Sequence, residues 1–246
     1  MIFESKLDPN PIPNEIFKIN GEPIKLCTEF DFLGITIDNK LTWKAHTKKL
    51  LGKITRTVGV MRKIKRYAPF SVMKTLYQSL INSRFSYGIR CWGFACSQLE
   101  TIQKKAIRVM ANRKSNSHTS PIFKSNSILK LPDLFKLSCL KMHYRIERDL
   151  AAPIFRTFHT RNWEVHDHNT RQRVIRIIEP NFKRNKDCFR YSLPKLLIDL
   201  PGNLLEPVYT ASLRTFSSHL KQYFIDLYPS TCLKTPCQPC GRLPLY

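Results

Sequence analysis

The side chains best equipped for chemistry in this sequence are cationic and closely spaced. Lys44, Lys48, Lys49, Lys53, Arg56, Arg62, Lys63, Lys65 and Arg66 crowd the stretch from 44 to 66, and Lys104, Lys105 and Arg108 form a second cluster. Ammonium and guanidinium groups at this density are suited to neutralising phosphates. Their steps of one, three and four residues fit the surface of a helix, not the two-residue alternation of a strand.

Other reactive constellations are sparse. No Asp-Asp pair occurs, and Glu100 is the single acid between 41 and 115. Two-metal phosphoryl transfer needs clustered carboxylates to hold its ions ~3.5–4 Å apart, and no segment supplies them. Phosphate-binding loops, nucleophile elbows and His-Glu-x-x-His motifs are also missing. His166-Asp167-His168 lacks an evident third ligand and is expected as a polar loop. In the tail, Cys232, Cys237 and Cys240 are three local thiols where a structural zinc takes four ligands. His219, the nearest candidate for a fourth, lies in an expected helix. The tail is therefore expected to be disordered with free thiols, and no metal or cofactor is expected in the chain.

The chain of 246 residues has a formal charge of +23. Residues 1–40 carry a net −3, residues 41–115 +16 and residues 116–246 +10. The middle segment sets 17 bases against one acid, which leaves it almost without internal ion-pair partners. Such a segment repels itself unless a polyanion relieves it, so a nucleic-acid partner is expected. An apolar fraction of 42% supports a packed core. Eight glycines are few for a glycine-rich nucleotide fold. No apolar run approaches the ~20 residues of a membrane span. The N-terminus lacks the layout of a signal peptide, and the cysteines read as reduced thiols, so an intracellular protein, nuclear or cytoplasmic, is expected.

The elements that must carry the cations follow from periodicity. Residues 17–26 place Asn20-Gly21 between alternating runs, a hairpin signal. A third strand is expected over 30–38, with Gly34 as a bulge or a close backbone approach. From Thr42 the period becomes helical, with Leu50 or Leu51, Ile54, Val58, Met61 and Ile64 or Lys65 on one face, ending near Ala68 before Pro69. A second helix runs from 69 or 70 to Phe85 with Val72, Leu76 and Leu80 inward, and loosens at Tyr87-Gly88. Ser97 and Glu100 read as a capping box opening a third helix that buries Leu99, Ile102, Ala106, Val109 and Met110. Polar residues 112–127 read as a linker. Pro132 opens a helix with Phe135, Cys139, Met142 and Ile146 on one face. Residues 174–178 and 188–191 are strand candidates, and a last helix carries Leu213, Phe216, Leu220, Phe224 and Leu227. The fold class is α+β, mainly α: a small antiparallel β unit over 1–43, a basic three-helix bundle over 44–114, a linker over 115–131, a mixed α/β unit over 132–228, and a tail over 229–246. Trp43, Tyr67 and Tyr77 are expected as core anchors rather than base-stacking rings.

The order of these motifs resembles LINE-type, non-LTR retrotransposon reverse transcriptases. The resemblance rests on the run from Phe30 through Asp38 to Leu41 and Trp43, then Leu76-Tyr77-Gln78-Ser79-Leu80, Ser86-Tyr87-Gly88, Cys91-Trp92-Gly93 and Ile102 to Arg108. It continues through His168-Asn169-Thr170-Arg171, the run from Leu193 to Pro201, and Ser212 to Phe216 with Leu220 to Tyr223. Each piece is short; the ordered set spans roughly residues 17–228. The resemblance implies a primer-grip-like hairpin with Phe32, Leu33 and Gly34 at its tip, a thumb formed by the basic bundle, and a C-terminal region. It also implies a missing palm, with the carboxylate turn that would hold Mg²⁺. The resulting expectation is a polymerase remnant that binds RNA, DNA or an RNA–DNA duplex without polymerising, with the missing polymerase portion as a further partner. A piece of a longer active reverse transcriptase, and a co-opted or decayed interaction module, fit the same residues.

Overall fold

The computed structural model describes residues 18–24, 27–158 and 189–231. Two hairpins lead the chain. β1 (Lys18–Ile19) pairs with β2 (Glu22–Pro23) across Asn20-Gly21, both in the left-handed region at φ 52° and 88°. The expected single strand over 30–38 is instead a second hairpin, β3 (Glu29–Phe32) against β4 (Ile35–Asp38). Leu33 and Gly34 turn it at φ 47° and 78°. Two consecutive positive φ angles match the twist of the flanking strands and close a two-residue loop, so Gly34 serves the turn, not a bulge.

Leucine is a poor residue for that conformation, because its Cβ crowds the following carbonyl. Leu33 is also 73% exposed, so no burial offsets the strain. Leu33→Asn, which tolerates left-handed backbone, is expected to stabilise the protein by about 0.5–1 kcal/mol. Thermal melting should register a rise of about 2 °C.

The carboxylate of Asp38 organises the entry to the first long helix. It accepts the backbone N–H groups of Lys40 (3.2 Å), Thr42 (2.9 Å) and Trp43 (2.8 Å). Burial alone would raise its pKa, but these bonds outweigh burial and hold it below the ordinary value. α1 (Lys44–Ile64) follows, burying His46, Thr47, Leu50, Ile54, Val58 and Met61. β4 packs on it: His46 Nδ1 accepts the N–H of Thr36 at 3.2 Å, and the ring lies 5.5 Å from that of Trp92.

The second helical stretch differs in phase from expectation. α2 (Phe70–Leu76) passes through a π-helical turn (Tyr77–Asn82) into α3 (Ser83–Ser86). Met73, Tyr77, Ile81 and Phe85 face the core, while Val72 and Leu80 are exposed at 44% and 38%. Residues four apart drift about 40° per step around an α-helix. The wider π turn takes out that drift and keeps the four on one line. Tyr87 ends α3, and Gly88 (φ 60°) allows Ile35 of β4 against the backbone, where a Cβ would collide. α4 (Ile89–Trp92) follows.

α5 (Ser97–Met110) starts after Cys96, so Ser97 is the first helical residue and makes no cap bond. The expected capping box is absent; Glu100 sits in the first turn. The expected linker is packed as well. α6 (Ser120–Ser125) lies within it, and Ile122, Phe123, Ile128 and Leu129 are buried. α7 (Leu131–Glu147) buries a broader face than expected, including Leu131, Leu137, Leu140 and Tyr144.

Residues 189–191, expected as strand, open α8 (Phe189–Asp199). Leu193, Leu197 and Leu200 are buried at helical spacing, and the helix accommodates Pro194. The strand candidate 174–178, His166 to His168, Asn169 to Arg171 and the tail cysteines lie outside the described residues. α9 (Pro207–Thr210) precedes α10 (Leu213–Asp226), whose N-terminal N–H of Thr215 is accepted by the hydroxyl of Ser212 at 3.2 Å. Phe216, Leu220 and Phe224 are buried as expected, but Leu227 is exposed. The described C-terminal residues are thus helical, not mixed. One continuous hydrophobic cluster runs from Leu50 to Tyr228, so the basic bundle and the C-terminal helices share a core. The fold is α+β and mainly α.

Candidate nucleic-acid interface

α1 and α5 pack against each other. The furrow between them is lined by Leu51, Thr55, Val58 and Arg62 from α1 and by Gln98, Thr101, Ile102 and Lys105 from α5; Arg62 and Lys105 also line the next concavity, with later residues of both helices. The two helices therefore run in the same direction, and their C-terminal ends converge. There the furrow opens into a concavity of about 720 Å³. Its walls are Arg62, Lys63, Lys65, Arg66 and Tyr67 on one side and Lys105, Arg108, Val109, Arg113 and Ser115 on the other. Seven of these ten residues are cationic, and none carries a carboxylate.

Both helix C-termini point their partial negative charge toward this place, each equivalent to about half an electron charge. That charge partly relieves the repulsion among the seven cations. Arg108 is the best fixed of them: its Nε donates to the carbonyl of Ser117 at 2.7 Å. Partial burial lowers its pKa, though a guanidinium remains charged. Around the other side of α5, Arg108 also borders a smaller concavity with Lys104, Lys130 and Glu100.

The expected basic residues are thus divided. Arg62, Lys63, Lys65, Arg66, Lys105 and Arg108 come together in the concavity, and Lys104 adjoins it. Lys49 and Lys53 face the opposite flank of α1, in a groove shared with the β3–β4 hairpin and Arg84. Lys49 has a partner that the charge count of its own segment hides. Its Nζ pairs with Asp31 of β3 at 3.0 Å. Lys44, Lys48 and Arg56 are exposed on α1 but do not line the concavity. Arg113 was not singled out in the sequence because it follows the last periodic apolar residue of α5. Its place just past a helix C-terminus is the signal that would have found it.

Phe32, Leu33 and Gly34 form the tip of the second hairpin, where Tyr87 Oη donates to the carbonyl of Leu33 at 2.6 Å. Phe32 and Leu33 are exposed. The hairpin sits beside the N-terminal half of α1, and thirteen residues from Lys49 to Arg62 separate it from the concavity by about 20 Å along the helix. Burial lowers the pKa of His46 beneath the hairpin, and the charge of Lys53 adds to the effect. Of the three aromatic residues expected as anchors, Tyr77 is fully buried and Trp43 packs at the core's edge, whereas Tyr67 is 87% exposed on the rim of the concavity.

Among the described residues, no group of three or more His, Cys, Asp or Glu side chains is placed to hold a metal ion. Among the same residues, no helix is long and apolar enough to cross a membrane. Comparison with protein-family models, with curated proteins and with solved structures found no match.

Proposed function

We propose that this chain binds nucleic acid through the concavity at the converging ends of α1 and α5. The observation that carries the reading is the lining: seven cations and no carboxylate around one concavity. A charged surface that merely solvates the protein mixes signs, as the Lys49–Asp31 pair does on the opposite flank. The resemblance to non-LTR reverse transcriptases supports a more particular version, a thumb-like segment contacting a template–primer or RNA–DNA duplex without polymerising. The exposed strand β3, with Phe30 and Phe32 at 52% and 55%, supports a further polypeptide as partner on the hairpin side. An isolated two-stranded sheet is marginal by itself.

The test is the salt dependence of binding. If five of the seven cations each neutralise a phosphate, log affinity against log salt falls with a slope of about −4, largely independent of sequence. Fluorescence anisotropy with an RNA–DNA hybrid, titrated between about 0.05 and 0.3 M salt, measures it. A flat response rejects the reading, as does equal binding to a neutral competitor.

A further inference from the structure

We infer that the α1–α5 concavity takes unpaired nucleotides, with one base stacked on Tyr67. The inference rests on the nucleic-acid reading above and narrows its ligand.

Tyr67 follows α1 in a turn held by its own backbone: its N–H donates to the carbonyl of Ile64 at 2.9 Å, and that of Ala68 does so at 3.0 Å. The ring is 87% exposed, yet it stands on the wall of the concavity that holds seven cations. Burial in the core therefore does not account for it. A flat π-face beside guanidinium groups is the composition of a site for a base and its flanking phosphates. Arg66 precedes Tyr67 in sequence, and Arg113 lines the same concavity, so phosphates on both sides of a stacked base have cations within the site.

Duplex does not use this arrangement. In a duplex each base face is covered by its neighbours, and only the edges and the backbone reach a protein surface. A ring on the wall of a concavity gains nothing from it. The size agrees, since about 720 Å³ lies in the range of sites that enclose one small molecule, roughly 300–1,000 Å³. A base and its sugar fit inside, with the neighbouring phosphates of the strand on the cations around the open rim; a duplex reaches those rim cations but not the ring. In the thumb-like reading, the ligand is a single-stranded stretch adjoining the duplex.

The experiment compares wild type, Tyr67→Ala and Tyr67→Phe by fluorescence anisotropy. The probes are a labelled oligouridylate or oligothymidylate strand, the same strand with abasic sites, and a blunt duplex of equal length. Tyr67→Ala is expected to weaken the strand at least about fivefold, the loss that removal of one stacked base produces. It should leave the duplex and the abasic strand within twofold. Tyr67→Phe should keep both affinities, and the salt slope should be the same for all three proteins because no charge changes. An equal loss for strand and duplex, no loss for the strand, or a Tyr67→Phe loss as large as that of Tyr67→Ala overturns the inference while the nucleic-acid reading stands. Absence of salt-dependent binding by wild type to any probe removes both.

Discussion

Exchanging Arg62, Arg66 and Lys105 together for glutamate is expected to lower nucleic-acid affinity about a hundredfold at 0.15 M salt. Each lost phosphate contact removes about 0.7–0.9 from the salt slope, and three contacts at that ionic strength amount to roughly two decades. The slope itself should fall by about two to three. The informative control carries the same change in net charge elsewhere, at the start of α1: Lys44→Glu, Lys48→Glu and Lys49→Glu. Those three lie outside the concavity, and Lys49 already has Asp31. If affinity depends on the concavity, the control retains most of it. If only the overall +23 matters, the two triple variants fall equally. Misfolding does not confuse the result. All three concavity residues are exposed, and removing like charges from a crowded place offsets the lost attraction of Arg62 to the end of α1.

The second large effect is on stability. Gln103→Leu is expected to cost about 3–5 kcal/mol, measured as a shift in urea midpoint at unchanged slope. Gln103 is 1% exposed, in the middle of α5. Its Nε2 donates to Tyr77 Oη at 3.1 Å and to the carbonyl of Leu129 at 3.0 Å, and its Oε1 accepts the N–H of Leu131 at 2.9 Å. One amide thus joins three pieces of chain: α5, the π-helical turn and the start of α7. Leucine of similar size leaves all three groups buried without partners, at about 1–3 kcal/mol each. Set against a total stability of about 5–15 kcal/mol, that is a large fraction. Tyr77→Phe, which deletes only one of the bonds, should cost nearer 1 kcal/mol.

Gln103 also shows where reading the sequence stopped short. Periodicity assigned polar residues to the outside of α5, yet Gln103 falls between Leu99 and Ile107, four residues from each, in the middle of the buried stripe. Its phase was visible; its partners were not, because they come from 26 and 28 residues away. Local rules worked where local physics decides. Asn20-Gly21 gave a turn, Pro69 separated two helices, and the stripe Leu50, Ile54, Val58, Met61 faced the core. They failed where packing decides. The phase of 70–86 depends on a π turn chosen by the core, and the polar composition of 112–127 concealed Ile122 and Phe123. For the site, the identity of the cations was legible, while their division was not. It depends on the direction in which α5 lies beside α1, and on a hairpin that brings Asp31 to Lys49.

The parallel course of α1 and α5 has a kinetic side. Anion sites built on helix N-termini grip one phosphate with fixed backbone amides. Here two C-termini converge, so the backbone offers no donors and the grip consists of long, rotatable side chains with interchangeable partners. A strand held this way has no preferred register. It would advance one nucleotide at a time, each step lifting a base off Tyr67 and laying the next one down, while the cations exchange one phosphate for its neighbour. In the nucleic-acid reading, such a surface favours sliding of a bound strand over a fixed register.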